Sequence, residues 1–562
     1  MRSLLCLLYG LSLAGADYDL LIRNARVLDG SGSPWFAADI GVKDGRIRAI
    51  GRLQGDATRV LDAAGLYASP GFIDLHSHSD TGLANPGLKF NLNMIAQGIT
   101  LAVVNQDGRS PRPLAEQRAL YEKQGIANHA ILMVGHGTLR SRVMGRRAVE
   151  AASGADLDGM RELLERELRT GGGWGLSAGL EYVPGRFSDT PELIALTRVV
   201  RPFGGVYISH ERSEGKDPMW KNASDPSPAM NLLEAVEETI EIGRATGVPV
   251  VCSHLKAKGA NYWGSSHAAT RLIREARDRG IEVYADQYTY DTSGSDGSTV
   301  LIPLWALAAP GASVDGQLGQ FGGGGAFRNA KENLATRLAD PRLAAKVRRD
   351  IEHEIARRGG ADRVIVGEFS DPIYVEKSLA FIAADRKLSP VDAALWIQRT
   401  GLDGSLGGAR LRGYSLAEID IEHIMRQDFT ATCTDGSTEP FGEGVPHPRF
   451  YGTFPRKIRR YVLERKTVSL PFAIRSMTSL AAQILGLKDR GWIREGYQAD
   501  LVLFDLASIA DKATFTNPHQ YPDGIPYVFV DGVAVVDNGK FTQATPGKVL
   551  RPDRDGTRAE RR

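Results

Sequence analysis

The feature that most constrains the fold is a series of eight short apolar runs that alternate with helical patterns between residues 69 and 487. Parallel strands need a helical crossover between them, so this alternation predicts parallel βα units. Eight such strands close a TIM-like (β/α)8 barrel, an α/β fold. The candidate strands are Gly71–His76, Leu101–Asn105, Ile131–Gly135, Gly175–Leu180, Gly205–His210, Pro249–His254, Ile281–Asp286 and Phe429–Asp435.

The interval between the seventh and eighth candidate strands is much longer than one crossover. It contains the glycine-rich run Gly322–Gly325 and a helical stretch from Pro341 to Arg358, which predict an insertion at about 295–425. An inserted lid over the mouth of the barrel is one interpretation, and a passive surface elaboration is the other.

Both ends of the chain carry short β-rich runs separated by turns such as Asp44-Gly45 and Asp531-Gly532. Short strands cannot bury a face alone, so we expect the two ends to pair. The sequence therefore predicts a small β-sandwich domain built from residues 17–68 and 488–550, beside a barrel that spans 69–487.

The charge of the chain excludes one class of partner. Of the 562 residues, 69 are basic and 67 acidic, and the two signs are interspersed, so a nucleic-acid-binding face is not expected. The polar segment 551–562 is typical of a flexible tail.

The N-terminus has the three parts of a secretory signal. Arg2 precedes the apolar run Leu4–Leu13, and Ala14–Ala16 offers the small residues at which a signal peptidase cuts. The run is shorter than the roughly 20 apolar residues that span a membrane. We therefore predict a cleaved signal over 1–16 and a periplasmic or secreted protein without a membrane span; a buried N-terminal strand or a misassigned start is the alternative.

Histidines stand at the ends of three candidate strands. His76 and His78 lie two apart, so their side chains point the same way, and His210 and His254 end two successive strands. The carboxyl ends of barrel strands meet at one mouth. Each histidine alone is more often a satisfied polar residue than a ligand, but four at matching positions, out of 11 in the chain, predict a metal site.

Asp435 ends the eighth strand within Thr434–Gly436. A carboxylate there can bind a metal ion and also accept a proton from an attacking water, whereas an Asp-Gly turn without chemistry is the alternative. Cys252 and Cys433 each lie two residues before a proposed ligand, which predicts barrel core positions, and two cysteines make no disulfide framework.

These motifs resemble the amidohydrolase superfamily, and most closely its N-acyl-D-amino-acid deacylase (D-aminoacylase) family. The histidine and aspartate signature points to the superfamily, and the elements around Lys256, Arg449 and Gly452–Pro455 point to the branch. The segments that carry the resemblance are Asp17–Asn24, Ser69–His78, Val134–Arg140, Gly175–Tyr182, Ser253–Lys256, Thr434–Gly436, His447–Arg456 and Arg494–Leu503.

The resemblance implies a barrel with a β-sandwich, one or two Zn²⁺ ions at the mouth, and release of the acyl group from N-acyl-D-amino acids by a metal-activated water. It also implies that Lys256, Tyr288 and Arg449 hold the substrate carboxylate and that Tyr182 lines the pocket. Cations and hydroxyls suit that task because a carboxylate accepts charge-assisted hydrogen bonds. A surface ion pair is the alternative for Lys256 or Arg449 taken singly.

The chain departs from the family at one ligand. Family members carry a metal-binding cysteine in Gly-Asn-Cys-Gly after the second strand, where this chain has Asn105–Gly108. We therefore hypothesise that Glu181 bridges two ions, with Asp107 as the competing candidate. A carboxylate bridge suits Zn²⁺ and also admits Mn²⁺ or Co²⁺.

The expected arrangement places His76, His78 and Asp435 around one ion and His210 and His254 around the other. Asp435 is expected to take the proton of the attacking water and pass it to the departing amine.

His136, within Gly135–Gly137, either donates to the tetrahedral oxyanion as a catalytic residue or shapes the turn of the third strand.

Three other functions share this signature. They are a related amidohydrolase acting on dipeptides or cyclic amides, a lactonase or ester hydrolase, and a non-catalytic barrel binding protein. The expected partner is a small N-acyl amino acid or peptide-like molecule, and the sequence leaves open whether the chain forms a homo-oligomer.

Overall fold

The computed structural model describes residues 16–293, 299–310, 327–402 and 405–552. Most of the predicted signal peptide, the run Gly322–Gly325 and the tail from residue 553 lie outside the described residues.

The first four strands mix buried and exposed side chains, as strands with one face on a core do, and the fifth is buried throughout. They are β1 (Tyr18–Val27), β2 (Phe36–Lys43), β3 (Arg46–Gly51), β4 (Ala57–Asp62) and β5 (Tyr67–Pro70).

The next segment alternates strands and helices in the predicted way. Its strands are almost completely buried, as parallel strands covered on both faces are. The elements are β6 (Phe72–Asp74), β7 (Ser77–His78), α1 (Asp80–Ala84), α2 (Leu92–Ile95), β8 (Ile99–Val104), α3 (Leu114–Gln124), β9 (His129–Leu132), β10 (Val134–Gly135), α4 (His136–Met144), α5 (Gly154–Arg169), β11 (Gly175–Gly179), α6 (Thr190–Val200), β12 (Val206–His210), α7 (Leu232–Thr246), β13 (Val250–Cys252), α8 (Ser266–Asp278) and β14 (Val283–Gln287).

An insertion rich in helices follows and has its own apolar core, which includes Leu301, Val347 and Leu379. Its elements, with the helix that leads back to the barrel, are α9 (Leu304–Leu307), α10 (Ala330–Ala339), α11 (Pro341–Arg357), β15 (Val364–Glu368), α12 (Leu379–Asp385), α13 (Pro390–Thr400), β16 (Arg410–Gly413) and α14 (Glu418–Met425).

The remaining elements complete the barrel and return to the first sheet. They are β17 (Thr430–Thr432), β18 (Gly436–Ser437), α15 (Arg449–Arg456), a π-helix (Lys457–Glu464), α16 (Leu470–Met477), α17 (Ser479–Leu485), β19 (Leu501–Phe504), β20 (Tyr527–Val530), β21 (Val533–Asp537) and β22 (Lys540–Phe541).

The barrel strands pair in parallel in the order β6-β8-β9 and β10-β11-β12-β13-β14-β17. β9 and β10 flank Met133, whose amide donates to the carbonyl of Val104, so the two runs are joined there. β18 pairs in parallel with β7, and the amide of Thr434 donates to Asp74. The eighth strand therefore closes on the first, as the sequence predicted.

Strands from both ends of the chain form one nine-stranded sheet, in which β19 pairs antiparallel with β5. Leu20, Ile40, Leu501 and Phe529 pack into a single core between its folded halves. The predicted sandwich is therefore present. A buried ion-pair network connects the sandwich to the start of the third barrel strand. In this network Arg490 and His129 contact Asp500 and Asp531.

The insertion holds a loop at the mouth of the barrel. Arg357 of α11 donates to the carbonyls of Met219 (2.8 Å) and Lys221 (2.6 Å), in the loop after β12. Asp350 of the same helix accepts the amide of Ser224 at 2.7 Å. The insertion therefore braces a loop that reaches the functional site.

Cys252 and Cys433 are free thiols buried in the barrel, as predicted. None of the helices in the described part of the chain combines the length and apolar character needed to cross a bilayer.

Candidate metal and active site

The predicted ligands meet at the carboxyl ends of the barrel strands. His76 follows β6, His210 ends β12, His254 comes two residues after β13, and Asp435 follows β17. The backbone is left-handed at His254 (φ 36°), at Asp435 (φ 48°) and at Asp107 (φ 54°). Left-handed residues are uncommon outside glycine and cluster where a structure re-aims side chains at a site.

The first pair of histidines forms one half of the site. The Nε2 atoms of His76 and His78 lie 3.2 Å apart, and Oδ1 of Asp435 lies 3.7 Å from the former and 3.3 Å from the latter. Three ligand atoms within 4.8 Å of one another can share one cation. The structure thus brings together the three residues that the sequence grouped around one ion.

The second pair forms the other half. Nδ1 of His210 lies 3.0 Å from Nε2 of His254. Both rings are nearly inaccessible to solvent, and they pack edge to face with centroids 4.6 Å apart.

Asp107 lies between the two pairs. Its Oδ1 is 3.4 Å from Nε2 of His76 and 3.7 Å from both Nδ1 of His210 and Nε2 of His254, while its Oδ2 is 3.4 Å from Nε2 of His78. The buried Oδ1 has no hydrogen-bond partner among the described residues. A buried carboxylate oxygen without a donor, facing three imidazole nitrogens, is suited to a cation.

The preferred hypothesis for the bridging residue is corrected by this arrangement. Glu181 does not lie between the pairs: its Oε2 is 3.3 Å from Nε2 of His210, the nitrogen on the far side of the ring. Its Oε1 accepts the amide of Met219 at 2.9 Å. The backbone of Asp107 lies very close to Gly179, at the end of β11. A Cβ atom added to Gly179 would be 2.3 Å from the carbonyl oxygen of Asp107. The second-strand loop therefore covers the fourth strand and places Asp107 over the barrel axis.

The outer nitrogens of the buried histidines each face an oxygen acceptor. Nδ1 of His76 is 2.6 Å from Oγ of Ser253, which in turn donates to Asp286. Glu181 faces Nε2 of His210, and Oε1 of Glu214 is 3.3 Å from Nδ1 of His254.

A neutral imidazole that donates from its outer nitrogen presents a lone pair on the inner one. The inner nitrogens therefore converge as ligands, and with two carboxylates they form a donor set that fits Zn²⁺ or a related divalent ion.

The ionisation of the ligands suits a cation. Burial holds the pKa of His76 well below its usual range, so this ring is neutral. Burial alone would raise the pKa of Asp107 and Asp435, but the histidines, with Arg449 acting first on Asp435, hold both pKa values well below normal. His78 differs, because against the effect of burial Asp107 and Asp435 raise its pKa to about 10. Its proton would have to leave when a metal ion binds.

His78, Asp107, His210, His254 and Asp435 line a cavity of about 750 Å³. The four predicted substrate-binding residues Tyr182, Lys256, Tyr288 and Arg449 line the same cavity. The guanidinium of Arg449 lies 4.8 Å from the ring centroid of Tyr288, and the ammonium of Lys256 lies 5.5 Å from it. The predicted carboxylate-binding group is therefore assembled on one side of the cavity.

Arg449 and Lys256 are buried rather than on the surface. Nη1 of Arg449 donates to Oδ2 of Asp435 at 2.7 Å, and its buried Nε has no hydrogen-bond partner among the described residues. Lys256 contacts Glu214 and lies 2.7 Å from Nδ1 of His254. A buried guanidinium with an unused donor is suited to the carboxylate of a ligand.

His136 is the one predicted catalytic residue that lies away from the cavity. It is fully buried, its Nε2 is 2.7 Å from Oε1 of Glu192, and Glu192 also pairs with Arg140. The described residues that line the cavity do not include His136. The contact with Glu192 favours the alternative, a role in shaping the turn after the third strand, and the oxyanion role stays a prediction.

The residues behind the ligands were not predicted from the sequence. Ser253, Glu214 and Lys258 belong to no pattern that periodicity reveals. Asp286 had a usable signal, because it ends the predicted seventh strand just as Asp435 ends the eighth.

Comparisons with known proteins agree with this site. A model of the Amidohydrolase family matches residues 59–188 and 336–536. The chain is 32% identical to a D-aminoacylase of Alcaligenes xylosoxydans xylosoxydans over 557 residues, which cover 95% of this chain and 97% of that protein.

Solved structures give the same result. An N-acyl-D-glutamate deacylase of Bordetella bronchiseptica, complexed with zinc and a phosphonate mimic of the tetrahedral intermediate, is 29% identical with a TM-score of 0.71, over 95% of this chain and 99% of that one. A D-aminoacylase described as having a binuclear metal centre, activated by one metal and attenuated by a second, is 30% identical with a TM-score of 0.70, over 95% of this chain and 100% of that one.

Proposed function

The chain belongs to the amidohydrolase family, and from that premise we propose that it hydrolyses the amide bond of N-acyl-D-amino acids with a bound divalent metal, most simply zinc. The observation that carries the proposal is one cavity that holds both a metal-ligand set and a carboxylate-binding group. The substrate class is supported by the D-aminoacylase and N-acyl-D-glutamate deacylase to which the chain is similar.

We assign the metal ligands from the contacts. His76, His78 and Asp435 would hold one ion, and His210 and His254 would hold the other. Asp107 takes the place between them. A zinc ion bound by such residues polarises a carbonyl and brings the pKa of a coordinated water down to about 7.

Asp435 is assigned as the proton carrier. It faces the first histidine pair on one oxygen and Arg449 on the other, so it lies between the metal ligands and the carboxylate-binding group. A carboxylate in this place accepts the proton of the attacking water and returns it to the departing amine.

Arg449 links substrate binding to this step. While Arg449 pairs only with Asp435, it keeps the pKa of that carboxyl low, which makes Asp435 a weak base. When a substrate carboxylate binds the same guanidinium, the positive charge of Arg449 is shared between the substrate and Asp435. Asp435 is then stabilised less as an anion, so its proton affinity rises. Proton transfer is thereby favoured when substrate is bound.

The test is a panel of N-acetyl-D-amino acids, N-acetyl-L-amino acids, dipeptides and cyclic amides, with metal analysis of the same sample. We expect hydrolysis of the N-acetyl-D-amino acids by zinc-containing protein. Asp435→Asn should abolish turnover and retain most of the metal. No cleavage of any N-acetyl-D-amino acid by metal-loaded protein would refute the proposal, and turnover by Asp435→Asn would refute the assigned role.

We also propose that the protein is exported, on the basis of the leader over 1–16. Mass analysis of protein secreted by an expressing bacterium should give a mature N-terminus near Asp17. A cell-associated chain that retains Met1 would contradict this.

A further inference from the structure

We propose that Glu214 is a positioning residue that serves the metal and the substrate at once, because it fixes His254 as a ligand and holds Lys256 in the carboxylate-binding group. This inference rests on the proposed function. Neither the sequence motifs nor the comparisons assign a role to Glu214.

The backbone fixes the place of Glu214. Its carbonyl accepts the amide of Lys258 at 2.9 Å, and the next residue, Gly215, forms a parallel bridge with Lys258. The loops after the fifth and sixth barrel strands are thus tied together. The Glu214 side chain is buried between them, with Oε1 3.3 Å from Nδ1 of His254 and against the ammonium of Lys256.

Two opposed groups compete for Nδ1 of His254. The ammonium of Lys256, 2.7 Å away, can only donate, and it therefore favours a bare Nδ1 with the imidazole proton on Nε2. The carboxylate of Glu214 can only accept, and it favours a proton on Nδ1. Nε2 is the nitrogen that faces His210 and Asp107. It can be a ligand only when the imidazole proton is on Nδ1. Lys256 makes the shorter contact with Nδ1, so Nε2 can serve as a ligand only if Glu214, the acceptor at 3.3 Å, outweighs it.

Lys256 depends on the same carboxylate. Its side chain is only 6% exposed, and a buried ammonium needs a counter-charge. The carboxylate that contacts it is Glu214. Without it the ammonium would move away from the cavity, which weakens the hold on a substrate carboxylate.

The ligand atoms of Glu214, His210 and His254 lie close enough to share a cation, but the contacts of Glu214 place it behind the two rings. It lies 3.8 Å from Nε2 of His210 and 3.3 Å from Nδ1 of His254, which are the outer nitrogens of both rings. The ammonium of Lys256 is already in contact with that carboxylate and excludes a second cation from the same place.

The experiment measures zinc affinity and steady-state kinetics of Glu214→Gln beside two matched variants. We expect the ion at His210 and His254 to bind roughly 10- to 100-fold more weakly, the usual effect of losing a group behind a ligand. KM for an N-acetyl-D-amino acid should rise at least 10-fold. Glu211→Gln is the control for the loss of a buried carboxyl in the same loop, since Glu211 accepts from Thr239 at 2.8 Å and has no contact with His254 or Lys256 among those described. In Glu211→Gln, the zinc affinity and KM should both stay within 2-fold of wild type.

Lys256→Met separates the two roles. It should raise KM while zinc affinity is kept or improved, because Glu214 then serves His254 alone. A purely structural role for the cluster predicts instead that both variants lose both properties.

Unchanged zinc affinity in folded Glu214→Gln, or a loss of zinc in Lys256→Met that equals it, would overturn the proposal. If Glu214→Gln does not fold, a normal zinc affinity in Glu214→Gly would overturn the proposal equally well. Because zinc affinity is measured without substrate, a wild type that binds zinc but cleaves no N-acyl-D-amino acid would refute the proposed function alone.

Discussion

Replacing Glu181 with glutamine distinguishes two ways of building the metal site. Glu181 meets the outer nitrogen of His210 and the amide of Met219, and it contacts no inner histidine nitrogen among the described residues, so the structure predicts that Glu181→Gln still binds two zinc ions. Asp107 faces the inner nitrogens of both histidine pairs, so Asp107→Asn should bind at most one. Asparagine tolerates the left-handed backbone at 107 as aspartate does, so the loop itself is preserved.

The magnitude for Glu181→Gln follows from the contact that changes. The amide oxygen of glutamine can still accept the His210 N–H, so the charge of that contact is lost, and the amide NH2 that replaces Oε1 cannot accept the Met219 amide. A hydrogen bond to a charged group contributes about 1.5–3 kcal/mol and a neutral one about 0.5–1.5 kcal/mol, a difference of roughly 1–1.5 kcal/mol. Since about 1.4 kcal/mol is tenfold in a binding constant, the affinity of the ion at His210 should fall about 5- to 10-fold.

The assay is metal analysis of protein equilibrated with zinc and dialysed, followed by competition with a chromophoric chelator. Wild type and Glu181→Gln should retain the same number of ions, with the variant releasing one more readily. If Glu181→Gln retains one ion fewer while Asp107→Asn keeps the full number, Glu181 is the bridge and the geometric argument is wrong.

Three further predictions follow from buried contacts. Ser253→Ala leaves the N–H of His76 without its acceptor, which should cost about 1–3 kcal/mol and weaken zinc binding about 10- to 100-fold; unchanged zinc affinity in a chelator titration would contradict this. Burial lowers the pKa of His129, but the charge of Asp500 outweighs burial and the pKa in the folded protein is raised. Protonated His129 therefore stabilises the fold fully below about pH 6.5, and this contribution to the free energy of unfolding is lost as the pH rises through the pKa of the folded state. The thermal midpoint of wild type should therefore exceed that of His129→Gln most below about pH 6.5 and approach it as the pH is raised, whereas a constant difference would show no such coupling. Arg357→Met removes two donors to the loop after β12 and should speed proteolytic cleavage of that loop and raise KM a few-fold; equal cleavage rates would mean that the insertion is not a brace.

The barrel and its ligand histidines could be predicted because their signals are local. β-branched runs form buried strands wherever they pack, and a histidine at the end of such a strand lies at the mouth whichever strand carries it. His76, His78, His210, His254 and Asp435 were found in this way, and the structure brings them together.

The residues behind the ligands could not be predicted in the same way. Ser253, Glu214 and Asp286 act through contacts between loops whose approach depends on the packing of whole barrel strands. His136 shows the converse, since a histidine beside a strand end can equally turn outward to an acid on a helix.

The amino-acid sequence by itself determined that this chain forms a barrel whose strand ends carry four histidines and an aspartate, because periodicity and residue type act over a few neighbouring positions. Only the tertiary structure decided which carboxylate lies between the histidine pairs. Asp107 and Glu181 both follow barrel strands, and the close approach of the Asp107 backbone to Gly179 puts one over the axis and the other behind His210. Such a choice depends on distances between segments far apart in the chain, which no local pattern encodes.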